Sequence, residues 1–203
     1  MMTTDSPRQT WNTAEAEIME ATYRALLEHG YADLSISRIV DELDKSKAAI
    51  YYHYDTKDDL LAAFLEFAVD RFEETIDTET GDEPSEDLAH VTEKLLALQP
   101  DAEQRQLQAV LVGPRSQAVT NEVFREQFTQ IDERLAATIR SIVERGIDEG
   151  TFRDVDPSRI AEHILSTVNG AMYSRATTDR TGTAAAARVS LASYIDSELR
   201  RRP

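Results

Sequence analysis

The chain has no cysteine, and among its 203 residues only seven glycines, six prolines and one tryptophan. Without cysteine there is no disulfide framework, no thiolate nucleophile and no Cys-based metal site. No apolar window approaches the roughly 18 residues that span a bilayer, and the opening MMTTDSPRQTW lacks the apolar run of a signal peptide. The expectation is a soluble, cytoplasmic protein without membrane contact. Gly-rich phosphate loops, a nucleophile elbow and HExxH are all missing. The four histidines (29, 53, 90 and 163) never pair at i+3 or i+4. His163 with Glu162 and Asp156 reads as a packed or solvated histidine, not a metal ligand. No catalytic residue, metal or cofactor is expected, and no enzyme.

Lysine is also scarce, and its placement is informative. The net charge is −16, from 22 basic and 38 acidic side chains. Residues 61–203 carry 16 basic and 26 acidic groups, and residues 1–60 carry 6 and 12. Such a balance ordinarily opposes binding to nucleic acid, which rests on phosphate neutralisation. Yet of the four lysines, Lys45, Lys47 and Lys57 fall within thirteen residues and make the window 45–57 net +2. Acid spread over every helix, with little lysine, fits adaptation to molar salt. There counterion release contributes little, and direct base contacts must contribute more.

The segment 34–61, LSISRIVDELDKSKAAIYYHYDTKDDLL, organises the rest. Ile36, Ile39, Val40 and Leu43 form one apolar stripe of a two-turn helix, with Ser35 at its N-cap. Ser46 offers a second cap, for a helix from Lys47 to about Tyr54 with Ala49, Ile50 and Tyr54 inward. Thr56 and Asp59 form a capping box for a third helix. Helix, short turn, short helix is the geometry of a helix-turn-helix, whose second helix enters a major groove. Lys47, Tyr51, Tyr52 and His53 cannot all be buried in so small a helix. With Ser46 and Lys57 they combine cations and hydroxyls for phosphates with aromatic edges and donors for bases.

The run SKAAIYYHYDTKDDLL resembles the end of the DNA-binding domain of TetR-family transcriptional regulators. IMEATYRALLEHGYADLSISRIVDEL resembles the first two helices of that domain. GIDEGTFRDVDP, residues 146–157, is similar to the family's hinge between its seventh and eighth helices. Two positions depart from the pattern: Asp44 stands where the turn usually has Gly, and Lys45 where an apolar residue is usual. The resemblance implies an all-α fold of about nine helices. An N-terminal three-helix helix-turn-helix domain would precede a C-terminal helical ligand-binding and dimerisation domain. The expected boundaries are a disordered arm over 1–12, the DNA-binding domain over 13–56 and the effector and dimer domain over 57–203, with the helix from 57 continuous between the two. Candidate DNA contacts are Ser35, Ser37, Lys45, Ser46, Lys47, Ala49, Tyr51, Tyr52, His53 and Lys57.

The remaining periodicity is helical throughout. A first helix runs from a Thr13 cap to His29, with Gly30 as left-handed C-cap. The fourth runs from Lys57 to about Thr78 on Leu60, Leu61, Phe64, Leu65, Ala68 and Phe72. The fifth opens at Ser85 or Glu86. The sixth starts near Asp101 and breaks near Gly113-Pro114, and the seventh runs from an Asn121 cap almost to Gly150. Asp156-Pro157 opens the eighth, whose apolar face is wide, and the ninth ends in Arg200, Arg201 and Arg202, read as cations at a helix C-terminus. Broad stripes on antiparallel helices can pair two copies as a four-helix bundle. Ile160, Ile164, Leu165, Val168, Leu191, Tyr194, Ile195 and Leu199 are the candidates for that interface. By analogy with the family, Phe64, Phe67, Leu107, Leu111, Phe128 and Met172 wall an effector pocket. His90, Gln108, Arg115, Asn169 and Tyr173 are its polar candidates.

The expected function is a homodimeric regulator, a repressor released by an unknown small-molecule effector. Two reading helices on a two-fold axis would address double-stranded DNA at a palindromic operator with half-sites ~34–36 Å apart. An activator of the same fold stays open, as does a helical dimeric ligand-binding or interaction module that does not bind DNA.

Overall fold

The computed structural model describes residues 10–43, 45–79, 81, 83–96 and 112–201, and they are almost wholly helical. The one extended pairing among them is a single bridge between Phe152 and Arg200. Helix α1 (Thr13–Asp33) is capped by Asn12, one residue earlier than expected. The Asn12 carboxamide oxygen accepts from the N–H groups of Ala14 and Glu15 at 2.9 and 3.0 Å. Glu15 accepts in return from the Asn12 N–H at 3.0 Å, which closes a capping box. Gly30, at φ 71° and ψ 170°, is a kink and not a terminal left-handed cap, because helix re-forms over 31–33.

Helices α2 (Ile36–Asp41) and α3 (Lys47–His53) follow. Ser35 caps α2 by accepting from the Arg38 N–H at 3.3 Å. Ser46 holds the N-cap position of α3, but its hydroxyl makes no capping bond. Helix α4 (Lys57–Glu79) starts on reciprocal bonds between Thr56 and Asp59, at 3.0 and 3.1 Å. Helix α5 (Pro84–Leu96) begins before Ser85, with proline in the first turn, where its missing N–H costs nothing.

The expected start of the sixth helix lies outside the described residues. Helical backbone covers residues 112–117, here α6, and runs through Gly113 and Pro114 where a break was expected. A Cβ at Gly113 would meet the Tyr31 ring at 2.8 Å, so that glycine permits a close approach between helices. Helices α7 (Glu122–Asp148), α8 (Pro157–Thr177) and α9 (Thr183–Tyr194) complete the set, and a π-helical turn (Ile195–Leu199) extends the last.

Burial falls into two groups. The first gathers Ile18, Met19, Ala25 and Leu26 of α1 with Ile36, Ile39, Ile50, Leu60, Leu61, Phe64 and Leu65, and adds Phe124, Phe128 and Ile131 from α7. The second joins Ile76, α5, the far half of α7, Phe152, α8 and α9. Among the described residues, only α4 and α7 contribute to both. They run side by side in the same direction, since Asp58 meets Asn121 at 2.8 Å while Asp70 meets Arg134 at 2.6 Å.

The interface expectation needs correcting here. Ile160, Ile164, Leu165, Val168, Leu191, Ile195 and Leu199 are all buried within the single chain, and Tyr194 is half-buried. The α8 stripe is wide because α8 packs on α5, α7 and α9 at once. The seven buried side chains are therefore covered by their own chain, while Tyr194 keeps part of its surface open. What α9 turns outward is small: Ala185, Ala186, Val189, Ser190, Ala192 and Ser193. Gly170 and Ser166 are exposed on α8, beside His163, whose ring lies 4.6 Å from that of Tyr194.

Candidate nucleic-acid interface

Helix α3 is too short to hide its large side chains. Ile50 is fully buried and pins the helix to the first core, with Tyr54 packed beside it. Burial, reinforced by Glu15, pushes the Tyr54 phenol up to about 12. It stays neutral and holds the end of α3 down. Opposite, Tyr51 is 47% exposed and Tyr52 is 86% exposed. Leaving an aromatic ring in water forgoes the apolar burial that would otherwise stabilise the fold. Ala49 is half-buried, so it backs the helix and is not one of its outermost contacts.

The cations sort into two kinds. Lys47 is exposed, with its ammonium 3.5 Å from the Ser37 hydroxyl of α2 and 5.9 Å from the Tyr51 ring centroid. Ser37 and Ser46 are also exposed, so α2 and α3 present hydroxyls on either side of that ammonium. Lys57 donates to the Leu34 carbonyl at 3.3 Å and lies over the Tyr31 ring. It thereby fixes the start of α4 beside the cap of α2, whose Ser35 hydroxyl is already engaged. Lys45 differs, because it is ion-paired with Glu17 of α1. It lines a groove of about 420 Å³ with Glu20, Arg24 and Glu42. Its charge is spent within the chain, which weakens its case as a phosphate contact.

His53 turns back as well. Its Nδ1 lies 3.8 Å from a Glu15 carboxylate oxygen, and its ring meets Tyr52 edge-on at 5.1 Å. The outward set is therefore Ser37, Ser46, Lys47, Tyr51 and Tyr52. Lys57 and His53 brace it from behind.

The pocket candidates among the described residues divide between the two cores. Phe64, Phe67 and Phe128 belong to the first core, whereas Met172 packs on the second. Arg115 is paired with Asp132, one bond being 3.1 Å, and lies 5.0 Å over the Phe128 ring. His90 lies on α5, Asn169 is half-buried on α8, and Tyr173 is 49% exposed. Leu107, Gln108 and Leu111 lie outside the described residues.

One polar cluster escaped the sequence reading. Asp70 of α4 is 5% exposed and accepts from two sides. The Trp11 indole N–H donates to one of its oxygens at 2.8 Å, and Arg134 of α7 donates to the other at 2.6 Å. Arg134 also donates to both oxygens of Glu73, at 3.1 and 2.6 Å. Burial alone would depress the guanidinium, but its bonds to Glu73 and Asp70 outweigh that and hold it above its ordinary value. Glu66, one turn before Asp70, is raised by burial first and by Asp70 second, with Arg134 opposing. Only the lone tryptophan hinted at this cluster.

Residues 18–64 match the tetR family of bacterial regulatory proteins, and residues 84–200 match the C-terminal part of BetI-type transcriptional repressors. The chain belongs to the TetR family. It is a DNA-binding transcriptional regulator, and α2–α3 is the TetR helix-turn-helix. A TetR transcription regulator from Haloarcula marismortui superposes with a TM-score of 0.82 at 42% identity, over 94% of this chain and 100% of that one. A transcriptional-regulator structure from Saccharomonospora viridis, in complex with choline, gives a TM-score of 0.78 at 25% identity, over 93% and 98%. The transcriptional repressor AcnR of Corynebacterium glutamicum is 26% identical over 162 residues, 80% of this chain and 81% of that protein. Among the described residues of this TetR-family chain, no helix is long and apolar enough to cross a membrane.

Proposed function

We propose that this TetR-family regulator is a homodimeric repressor that reads a palindromic operator and is released by a small molecule. The observation that carries the reading is Tyr52, 86% exposed on a helix whose inward anchor, Ile50, is fully buried. Lys47 and Tyr52 are assigned to base edges. Ser37, Ser46 and Tyr51 are assigned to phosphates, with His53 and Lys57 as positioning groups. Residues 13–56 form the reading head and residues from 57 onward form the body, with α4 common to both. The second copy docks on the outward faces of α8 and α9, where alanine, serine and glycine let backbones approach closely. An effector acts by binding more tightly to a state in which the two heads no longer match the half-sites. Coupling of about 1–3 kcal/mol, or 5- to 150-fold in affinity, is ordinary for such linkage.

The repressor assignment is supported by the BetI-type match and by AcnR. Choline in the Saccharomonospora neighbour makes it the first effector to try. The net charge of −16, spread over the helices, supports operation in molar salt. The test is a mobility shift with DNA upstream of the protein's own gene, run in molar potassium chloride and repeated with choline. A retarded dimer whose footprint covers two half-sites one turn apart supports the reading. Loss of binding and of fold at molar salt, with both retained in dilute buffer, defeats the salt assignment. No shift at any salt concentration defeats the operator assignment.

A further inference from the structure

We infer that Trp11 is a positioning residue, a latch through which α7 sets the attitude of the reading helix. The inference rests on the two-headed reading above. The contacts form an unbroken series. Arg134 of α7 holds Asp70 of α4 at 2.6 Å, and Asp70 takes the Trp11 N–H at 2.8 Å. The Trp11 ring meets Phe67 of α4 edge-on, with centroids 5.4 Å apart. Trp11 immediately precedes Asn12, whose capping box begins α1 and contains Glu15. One oxygen of the Glu15 carboxylate closes that box at 3.0 Å, while the other faces His53 at 3.8 Å. His53 ends α3 and abuts Tyr52. The chain segment before α1 is thus pinned to the middle of α4, where the two cores meet, and its next turn braces the DNA-facing helix.

The geometry also says why a tryptophan serves. Its ring packs on Phe67 while its single donor reaches a carboxylate that is 5% exposed and already bound to Arg134. A phenylalanine would keep the packing and lose the bond. Because Asp70 is shared, a displacement of α7 relative to α4 changes the acceptor that Trp11 sees. The head then loses its fixed angle, and with it the fixed distance between two heads.

The test uses the full-length protein and a palindromic duplex that the wild type selects from a random pool in molar potassium chloride. A second duplex has one base pair inserted between the half-sites. In Trp11→Phe and in Arg134→Lys, discrimination between the two duplexes is expected to fall about tenfold or more. Because the chain has one tryptophan, emission reports this position alone, and Arg134→Lys is expected to move it to longer wavelength. A merely structural role would weaken both duplexes in the same proportion, and that result overturns the inference. So does discrimination by Trp11→Phe within twofold of wild type. If the wild type itself ignores the inserted base pair, the two-headed reading falls first and the latch falls with it.

Discussion

The α2–α3 face and the α8–α9 face both present helices to the outside, and they do it in opposite ways. On the first, large side chains point outward, with Tyr51 and Tyr52 at 47% and 86% exposure beside Lys47. On the second, the large apolar stripe points inward, and the outside is mostly alanine, serine and glycine, with His163, Tyr173 and Val189 among them. In the proposed reading the first surface reaches into a groove and needs length and donors. The second is suited to close backbone approach and needs little side chain. An apolar stripe therefore marks burial, but it does not say whether the partner is the same chain or another.

The largest expected effect tests the inward half of that contrast. Ile164 is fully buried in the second core. Ile164→Ala should lower unfolding free energy by about 2–5 kcal/mol, read by denaturant titration. If the stripe instead joined two copies, the same change would dissociate the dimer and leave a folded monomer. Next comes the outward half. Val189, 59% exposed on α9, becomes a buried charge on dimerisation if replaced by arginine. Val189→Arg should shift sedimentation to the monomer and lower operator affinity at least about tenfold, with helix content by circular dichroism unchanged.

On the reading face, Lys47→Ala should weaken specific binding by about 1–3 kcal/mol if the ammonium meets a base edge. An equal loss on random duplex would reassign it to phosphate. The smallest effect lies between the two faces. Glu66 is raised above its ordinary value by burial and by Asp70, so ionising it opposes the fold. The folded state favours the protonated form, hence this opposition is absent below the unfolded pKa and complete above the folded one. Glu66→Gln should raise the melting temperature slightly at pH 7 and change nothing once the pH falls below the ordinary carboxylate range.

How much of this was legible follows from the same contrast. The capping residues Ser35, Thr56, Asp59, Asn121 and Asp156 stood in the sequence because caps are local, acting within three residues. The exposure of Tyr52 was legible because α3 has seven residues and only one side chain can be fully sunk. The role of the α8 stripe was not, because periodicity encodes how wide a face is and not what covers it. Lys45 read as free positive charge, but its partner Glu17 lies one helix away, invisible to spacing. Arg134 was silent for that reason too, and Trp11 hinted at no particular partner. They meet Asp70 across 59 and 64 residues of chain, and such distant pairs leave no periodic trace.

One further consequence lies in the bend between α7 and α8. A side chain at Gly146 would strike the Phe152 ring, whose atoms sit 2.2 Å from the position of its first carbon. Phe152 in turn shares its short extended pairing with Arg200, and the Thr151 carbonyl accepts from the Arg201 N–H at 3.0 Å. Adding one methyl group to the middle of the chain, as in Gly146→Ala, therefore reaches its tail. Trypsin should clip such a variant first at Arg200 and Arg201, far along the chain from the altered position.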